Sequence, residues 1–297
     1  MDWFAGSTGL EGQEPPRRYL WTDAFAVCNY VGLHEALGER HPLDLALGLV
    51  DQVHHELGRF RSDDRRRGWI SGLSEEEGGR HPTAGGLRIG KGRPEREPGE
   101  PYDPDAEWDR DGQYYHYLTR WMWALGRVSR VTGDPRYLLW AVELAAAAHR
   151  AFVQAGEPGA PPIIHWKMST DLARPLVAST GQHDALDGFI TLSALQAMEA
   201  RTTPGRGSGV LAREVAELGL SIGLAAVSRM GRKAAASHLG ASPTAFEPLR
   251  RHLALRGEIE AYWVEPDHRR SATWTDHRDI NAVMLATSLA PNGYLDL

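Results

Sequence analysis

Apolar residues recur at helical spacing along most of the chain. The pattern predicts an antiparallel hairpin near the N-terminus, whose first helix covers residues 24–37 and ends at Gly38. A second hairpin follows the central stretch of the chain, with Pro135 in the first turn of one of its helices. Further helices are predicted over residues 184–199, over residues 209–230 and over a segment that ends at Leu289. No segment has a convincing strand pattern, so the predicted fold class is all-α.

The central stretch, residues 107–125, is rich in aromatic residues and predicts a largely buried helix. Asp111 is placed as the N-cap of this helix, and Asp109 adds negative charge at the positive end of its dipole. A buried polar face needs hydrogen-bonding partners, so it either links helices or lines a polar ligand site. The polar side of this helix carries Gln113, His116 and Arg120.

Residues 60–107 form a long segment without a helical period, rich in Gly, Pro, Arg and Glu. A loop of this length in a compact domain is usually functional or disordered. Backbone N–H groups beside Arg88 and Lys91 could hold a carboxylate or phosphate. The alternative is a solvated surface loop whose arginines pair with neighbouring glutamates.

Composition restricts the function class. The 297 residues carry a formal net charge of −6, which argues against a nucleic-acid partner, and Cys28 is the only cysteine. No secretory signal and no apolar stretch long enough to span a bilayer are present in the sequence. We therefore expect a cytoplasmic, soluble protein with no membrane partner, folded as one domain over residues 1–297 with an insertion at residues 60–107.

A recurring Trp, His and Asp pattern precedes or opens several predicted helices. The tripeptide Trp-Thr-Asp occurs at residues 21–23 and again at residues 274–276. If the hairpins form a ring, alternate helices begin at the same end, and these residues converge on one mouth. Carboxylates and imidazoles surrounded by tryptophans are typical of sugar-binding sites. Between the two tripeptides the pattern includes Trp108, Asp109, Asp111, His183, Asp184 and Asp187.

From Tyr19 onwards, this combination of helices and Trp/Asp/His-rich leading segments resembles the six-hairpin glycosidase-like (α/α) toroids. That class includes glycoside hydrolases, unsaturated glucuronyl hydrolases and N-acylglucosamine epimerase-like enzymes. The resemblance is one of architecture and local composition, and it implies a ring of helical hairpins. About eight or nine helices are predicted here against twelve in a full toroid, so the expected ring is incomplete relative to six hairpins.

The leading functional hypothesis is a carbohydrate-active, glycoside hydrolase-like enzyme that works through paired carboxylates. One carboxylate would be Asp109 or Asp111, and the other Asp184 or Asp187. The first alternative is a sugar epimerase or isomerase that uses histidines as acid and base. Its candidates are His116, His183 and His277. A second alternative is a non-catalytic carbohydrate-binding or scaffold protein.

The expected partner is a small-molecule carbohydrate. The basic residues are compatible with an anionic sugar as the substrate. Neither a metal nor a cofactor is expected, since the chain has no His-Glu-x-x-His motif. Oligomeric state does not follow from the sequence. The candidate substrate-binding residues are Trp21, Asp23, Trp69, Arg88, Lys91, Trp108, Tyr115, Trp166, Trp274, Asp276 and Asp279.

Overall fold

The computed structural model describes residues 1–154, 163–181, 184–202, 261, 263–270, 272–275 and 278–290. This part of the chain is mostly helical, as predicted. Its α-helices are α1 (Asp2–Ser7), α2 (Leu20–Leu37), α3 (Arg40–Leu57), α4 (Glu75–Arg80), α5 (Pro104–Trp108), α6 (Tyr115–Thr132), α7 (Pro135–Phe152), α8 (Asp184–Thr202), α9 (Ala272–Thr275) and α10 (Arg278–Leu289). A 3-10 helix covers His268–Arg270.

The two predicted hairpins are confirmed as α2–α3 and α6–α7. Gly38 ends α2 in the left-handed conformation with φ 71°, which glycine adopts without a Cβ clash. Asp134 caps α7 by accepting the Arg136 N–H, and Pro135 occupies the first turn. Helix ends of this kind depend on residues that are close together in the chain, which is why the sequence pattern identified them.

The predicted capping role of Asp111 is wrong. Helix α6 begins at Tyr115, and its N-cap is Tyr114 in an extended conformation. Residues 113 and 114 form a short strand, β1, that pairs with Lys167–Met168 and keeps the backbone extended up to the helix. The Asp111 carboxylate accepts the Gly90 N–H at 3.0 Å instead, so a tertiary contact replaces the cap.

Helix α6 lies at the centre of the helical arrangement. It packs against α2 on one side and α8 on another, and it forms a hairpin with α7. Helix α2 in turn contacts α3 and α10. Trp121 of α6 is fully buried and donates its Nε1–H to Nε2 of His54 in α3 at 3.1 Å. Each helix in the series α10, α2, α6 and α8 therefore packs against the next.

Two small antiparallel sheets supplement the helices. Strand β1 (Gln113–Tyr114) pairs with β4 (Lys167–Met168), and β2 (Val153–Gln154) pairs with β3 (Ile163–Ile164). The sequence pattern predicted no sheet, because two-residue strands leave no alternation to detect. They tie the segment after α7 back onto the start of α6.

The segment over residues 60–107 contains α4 and α5 and is anchored to the rest of the protein. Leu87 and Ile89 are completely buried, which a solvated surface loop would not show. Its glutamates nevertheless pair with arginines: Glu75 binds Arg59, just before the segment, at 2.7 Å, and Glu95 binds Arg66 at 2.8 Å. The predicted pairing of arginines with glutamates is therefore confirmed, and the binding of an anion by this segment stays a prediction.

None of the helices in the described ranges is both long and apolar enough to cross a membrane. The predicted helix over residues 209–230 lies outside the described residues, as do the candidate residues His183, Asp276 and His277.

Candidate functional site

The N-terminal ends of α2, α6 and α8 meet and bring together several of the predicted site residues. In the first turn of α2, the Trp21 ring lies 5.2 Å from the Tyr117 ring and 6.0 Å from the His116 ring of α6. In the first turn of α8, Asp184 contacts His116. We call this group the mouth cluster. It consists of Tyr19, Trp21, Tyr114, His116, Tyr117 and Asp184.

A histidine–carboxylate pair is the most polar feature of the mouth cluster. Nδ1 of His116 lies 3.3 Å from Oδ1 of Asp184, and the Asp184 side chain is 1% exposed while that of His116 is 20% exposed. A buried carboxylate that accepts Nδ1–H fixes the tautomer of an imidazole and leaves Nε2 as the proton-transfer atom. One turn further along both helices, Arg120 binds Asp187 at 2.6 Å.

Aromatic rings surround this pair. Tyr114 stacks on His116 with the ring centroids 5.4 Å apart and the planes at 16°. Trp166, from the segment before β4, lies 5.4 Å from Tyr114 and donates its Nε1–H to Ser179. Tyr114 itself is buried, whereas Trp21, Tyr117 and Trp166 are partly exposed. Partly exposed flat rings beside hydrogen-bonding groups suit the C–H faces and hydroxyls of a sugar.

The hydroxyl groups of Tyr19 and Tyr117 are joined by a 2.6 Å hydrogen bond. Burial raises the pKa of Tyr117 above its ordinary value, and burial likewise raises the pKa of Tyr19. Both phenols therefore stay protonated at neutral pH and serve as hydrogen-bonding groups, not as bases.

Lys91, within the 60–107 segment, lies beside the mouth cluster. Its Nζ is 5.7 Å from the Tyr19 ring and 5.1 Å from the ring of Trp108, which is 64% exposed. Burial lowers the pKa of Lys91, and the negative charge of Asp109 opposes this effect. Asp109 itself is exposed. No described carboxylate forms an ion pair with Lys91.

Lys167 is a buried residue of this region that the sequence did not single out. Its Nζ lies 2.9 Å from the Glu107 carboxylate, donates to the Glu107 and Arg110 carbonyls, and sits 5.4 Å from the Tyr114 ring. Burial lowers the pKa of Lys167, and the hydrogen bond to Glu107 opposes that shift. The β1–β4 pairing places this lysine under Tyr114, and no spacing in the sequence reveals it.

Asp111 and Arg88 belong to a different arrangement. The Asp111 side chain is completely buried and lies 2.5 Å from Nη1 of Arg88. The same guanidinium donates to the carbonyls of Arg59 and Glu56. All of these partners belong to the protein itself, so the pair anchors the 60–107 segment.

Three further predicted binding residues are buried and have internal roles, and a fourth is partly exposed. Asp23 is 1% exposed and accepts the Tyr19 N–H, and burial raises the pKa of its carboxyl to about 7. Trp69 is buried against the Arg59 side chain, and Tyr115 packs on Phe152 in the core. Asp279 is partly exposed in the first turn of α10, and its negative charge contributes to the raised pKa of the Asp23 carboxyl.

The two Trp-Thr-Asp tripeptides are not structurally equivalent. Trp21 lies in the first turn of α2, whereas Trp274 lies at the end of the short helix α9 and stacks on Trp263 with ring centroids 5.0 Å apart. Trp274 lines a separate cavity together with Trp3. The sequence repeat therefore does not reflect a repeated position in the fold.

No group of three or more metal-ligating side chains is found among the described residues. Comparison with protein-family models, with curated proteins and with solved structures finds no match to this chain. The geometry of the mouth cluster is accordingly the basis for the functional proposal.

Proposed function

We propose that the protein is a carbohydrate-active enzyme that binds its substrate at the mouth cluster and uses His116 as an acid/base. The single observation that carries this proposal is the contact between the partly exposed His116 imidazole and the buried Asp184 carboxylate, 3.3 Å apart, within a group of aromatic rings. The reaction class that suits such a pair is epimerisation or isomerisation of a sugar.

The proposed setting is a ring of helical hairpins whose inner helices begin at one end. The contacts of α2 with α6, of α6 with α8 and of α10 with α2 support this arrangement. So does the meeting of the first turns of α2, α6 and α8 at the mouth cluster. In such a ring the cluster lies where an incoming sugar meets the helix N-termini.

In the proposed reaction, Nε2 of His116 removes a proton from a sugar carbon next to a carbonyl group, and the electron pair moves onto the carbonyl oxygen. Asp184 stabilises the imidazolium that forms, because its carboxylate accepts the Nδ1–H. Inversion at that carbon requires a second acid on the opposite face of the sugar. His183 and His277 remain the predicted candidates for this second group.

Glycoside hydrolysis fits the geometry less well than epimerisation or isomerisation. It needs two carboxylates that face the substrate, but Asp111 is buried against Arg88, Asp187 binds Arg120, and Asp184 binds His116. Asp109 is the exposed member of the predicted set. The histidine mechanism requires only that Asp184 contacts His116, which is the contact in the structure.

Sugar binding without turnover is the competing proposal, and the aromatic lining supports it equally. Ligand-observed NMR against neutral sugars, uronic acids, amino sugars and sugar phosphates, followed over time, separates the two. An enzyme produces new epimer or isomer signals, and a His116→Gln variant abolishes them while a His55→Gln control on exposed His55 does not. Binding without new signals would favour the recognition protein, and no binding of any sugar would overturn both proposals.

A further inference from the structure

A cavity lies between α1 and the segment that leads into α10. Its volume is about 460 Å³. Two tryptophans and three arginines line it, and no aspartate or glutamate is among the lining residues that the structure describes. The five side chains are Trp3, Arg269, Arg270, Trp274 and Arg278. The protein as a whole carries a net charge of −6, so this concentration of arginines does not follow from a basic composition.

The three guanidinium groups have few acceptors among the residues that the structure describes. Arg278 lies over the Trp3 ring at 4.3 Å, which is a cation–π contact and leaves its N–H groups available. Arg269 donates from Nη2 to the Val264 carbonyl at 3.1 Å, while its Nε is buried without a hydrogen-bond partner. A buried donor without an acceptor is destabilising, and a ligand oxygen would satisfy it.

The third guanidinium belongs to Arg270, whose partner is Asp267 at 3.0 Å. Their side chains are 80% and 73% exposed, so solvent screens this ion pair and it contributes little to stability. Arg270 can therefore exchange its carboxylate partner for another anion at low cost. This contrasts with Arg88, whose guanidinium is buried and bonded to three protein acceptors.

Arg278 is also the first residue of the twelve-residue helix α10. A cation at a helix N-terminus is repelled by the positive end of the dipole, so a negative group close by would stabilise this end of the helix. Asp279 supplies one negative charge in the same turn, but it lies near Asp23. An anion in the cavity would compensate both Arg278 and the helix end.

We propose that this cavity binds a phosphate ester. The phosphoryl group would accept hydrogen bonds from Arg269, Arg270 and Arg278, because guanidinium groups match phosphate oxygens in geometry and charge. The organic part of the ligand would pack on Trp3 and Trp274. The site is independent of the mouth cluster and of the proposed sugar chemistry. Its ligand would join α1 to the segment preceding α10, which are far apart in the chain.

The test is isothermal titration of the full chain with inorganic phosphate, pyrophosphate and a hexose phosphate, at constant ionic strength set with chloride. The expected result is saturable binding that Arg278→Gln and Arg269→Gln each weaken by about tenfold or more, as expected for loss of a charged hydrogen bond. Arg65→Gln is the matched control, since the Arg65 side chain is 91% exposed in another segment. Arg269→Lys separates charge from geometry and should restore binding only in part.

Three results would overturn the proposal. One is the absence of saturable binding by any of the three phosphates. Another is equal weakening by Arg278→Gln and by the Arg65→Gln control, which would indicate general screening. The third is equal binding of a carboxylate such as acetate at the same ionic strength. Thermal unfolding of each variant without ligand confirms that the arginine variants remain folded.

Discussion

His116 and Asp184 are 68 positions apart in the chain, yet Nδ1 of the histidine lies 3.3 Å from the carboxylate of the aspartate. The contact joins the first turn of α6 to the first residue of α8. It holds an imidazole with a defined orientation at the end of two packed helices, beside Trp21 and Tyr114. A rigid scaffold that positions a proton-transfer group in this way is what acid/base catalysis requires.

Replacing either member of this pair should separate catalysis from folding. We expect His116→Gln to abolish sugar conversion. We expect Asp184→Asn to slow it on the order of a hundredfold, because the amide no longer stabilises the imidazolium. Sugar affinity should change less than turnover in Asp184→Asn. Conversion rates and dissociation constants for both variants check this, and an unchanged rate in Asp184→Asn would remove the assigned role of the carboxylate.

The neighbouring aspartates Asp109 and Asp111 should behave differently from each other. Asp111→Ala leaves the Arg88 guanidinium buried without its counter-charge, so we expect the free energy of unfolding to fall by about 3–5 kcal/mol. Asp109→Ala changes an exposed side chain and should alter the free energy by about 0.5 kcal/mol or less. Urea unfolding of the two variants measures both. Equal stability would contradict the anchoring role of Asp111.

Lys91 should favour a negatively charged sugar over a neutral one, because its ammonium lies beside the mouth cluster and no described carboxylate forms an ion pair with it. Lys91→Met is expected to weaken binding of a uronic acid by about tenfold and to leave a neutral hexose within about twofold. Lys91→Arg keeps the charge and is the matched control. Equal losses for both sugars in Lys91→Met would show that the lysine acts by packing.

His54 should make the protein sensitive to acid. Burial lowers the pKa of His54 from 6.5 to about 3, and Nε2 accepts the Trp121 Nε1–H, so the folded state requires the neutral imidazole. The unfolded chain takes up a proton near pH 6.5, and stability is lost as the pH falls from there towards 3. The expected slope is about 1.4 kcal/mol per pH unit from this residue.

Urea titrations across that pH range measure the slope in the wild-type protein and in His54→Gln, which cannot be protonated. The variant should show a flatter dependence on pH. His41→Gln removes an exposed histidine from the first turn of the same helix and should leave the slope unchanged. A wild-type slope that persists in His54→Gln would assign the acid sensitivity to another group.

Local signals in the sequence predicted most of the helical elements. The stop at Gly38 and the start of α7 at Pro135 depend on backbone conformations that only a few residue types favour, so the pattern identified them. Asp111 shows the limit of the same reasoning. It has the residue type and position of a helix cap. However, the β1–β4 pairing keeps the backbone extended until α6 begins at Tyr115, and the Asp111 carboxylate binds Arg88.

The sequence alone determined the helical class, the two hairpins and the presence of aromatic and acidic residues at the helix starts, because helix periodicity and capping act within a few residues. Only the tertiary structure decided which of those residues meet. It brought Trp21 to His116, buried Tyr115 in the core and placed Trp274 in a separate cavity. Side chains of the same type received different roles because packing between distant helices, not local spacing, fixes exposure and partners.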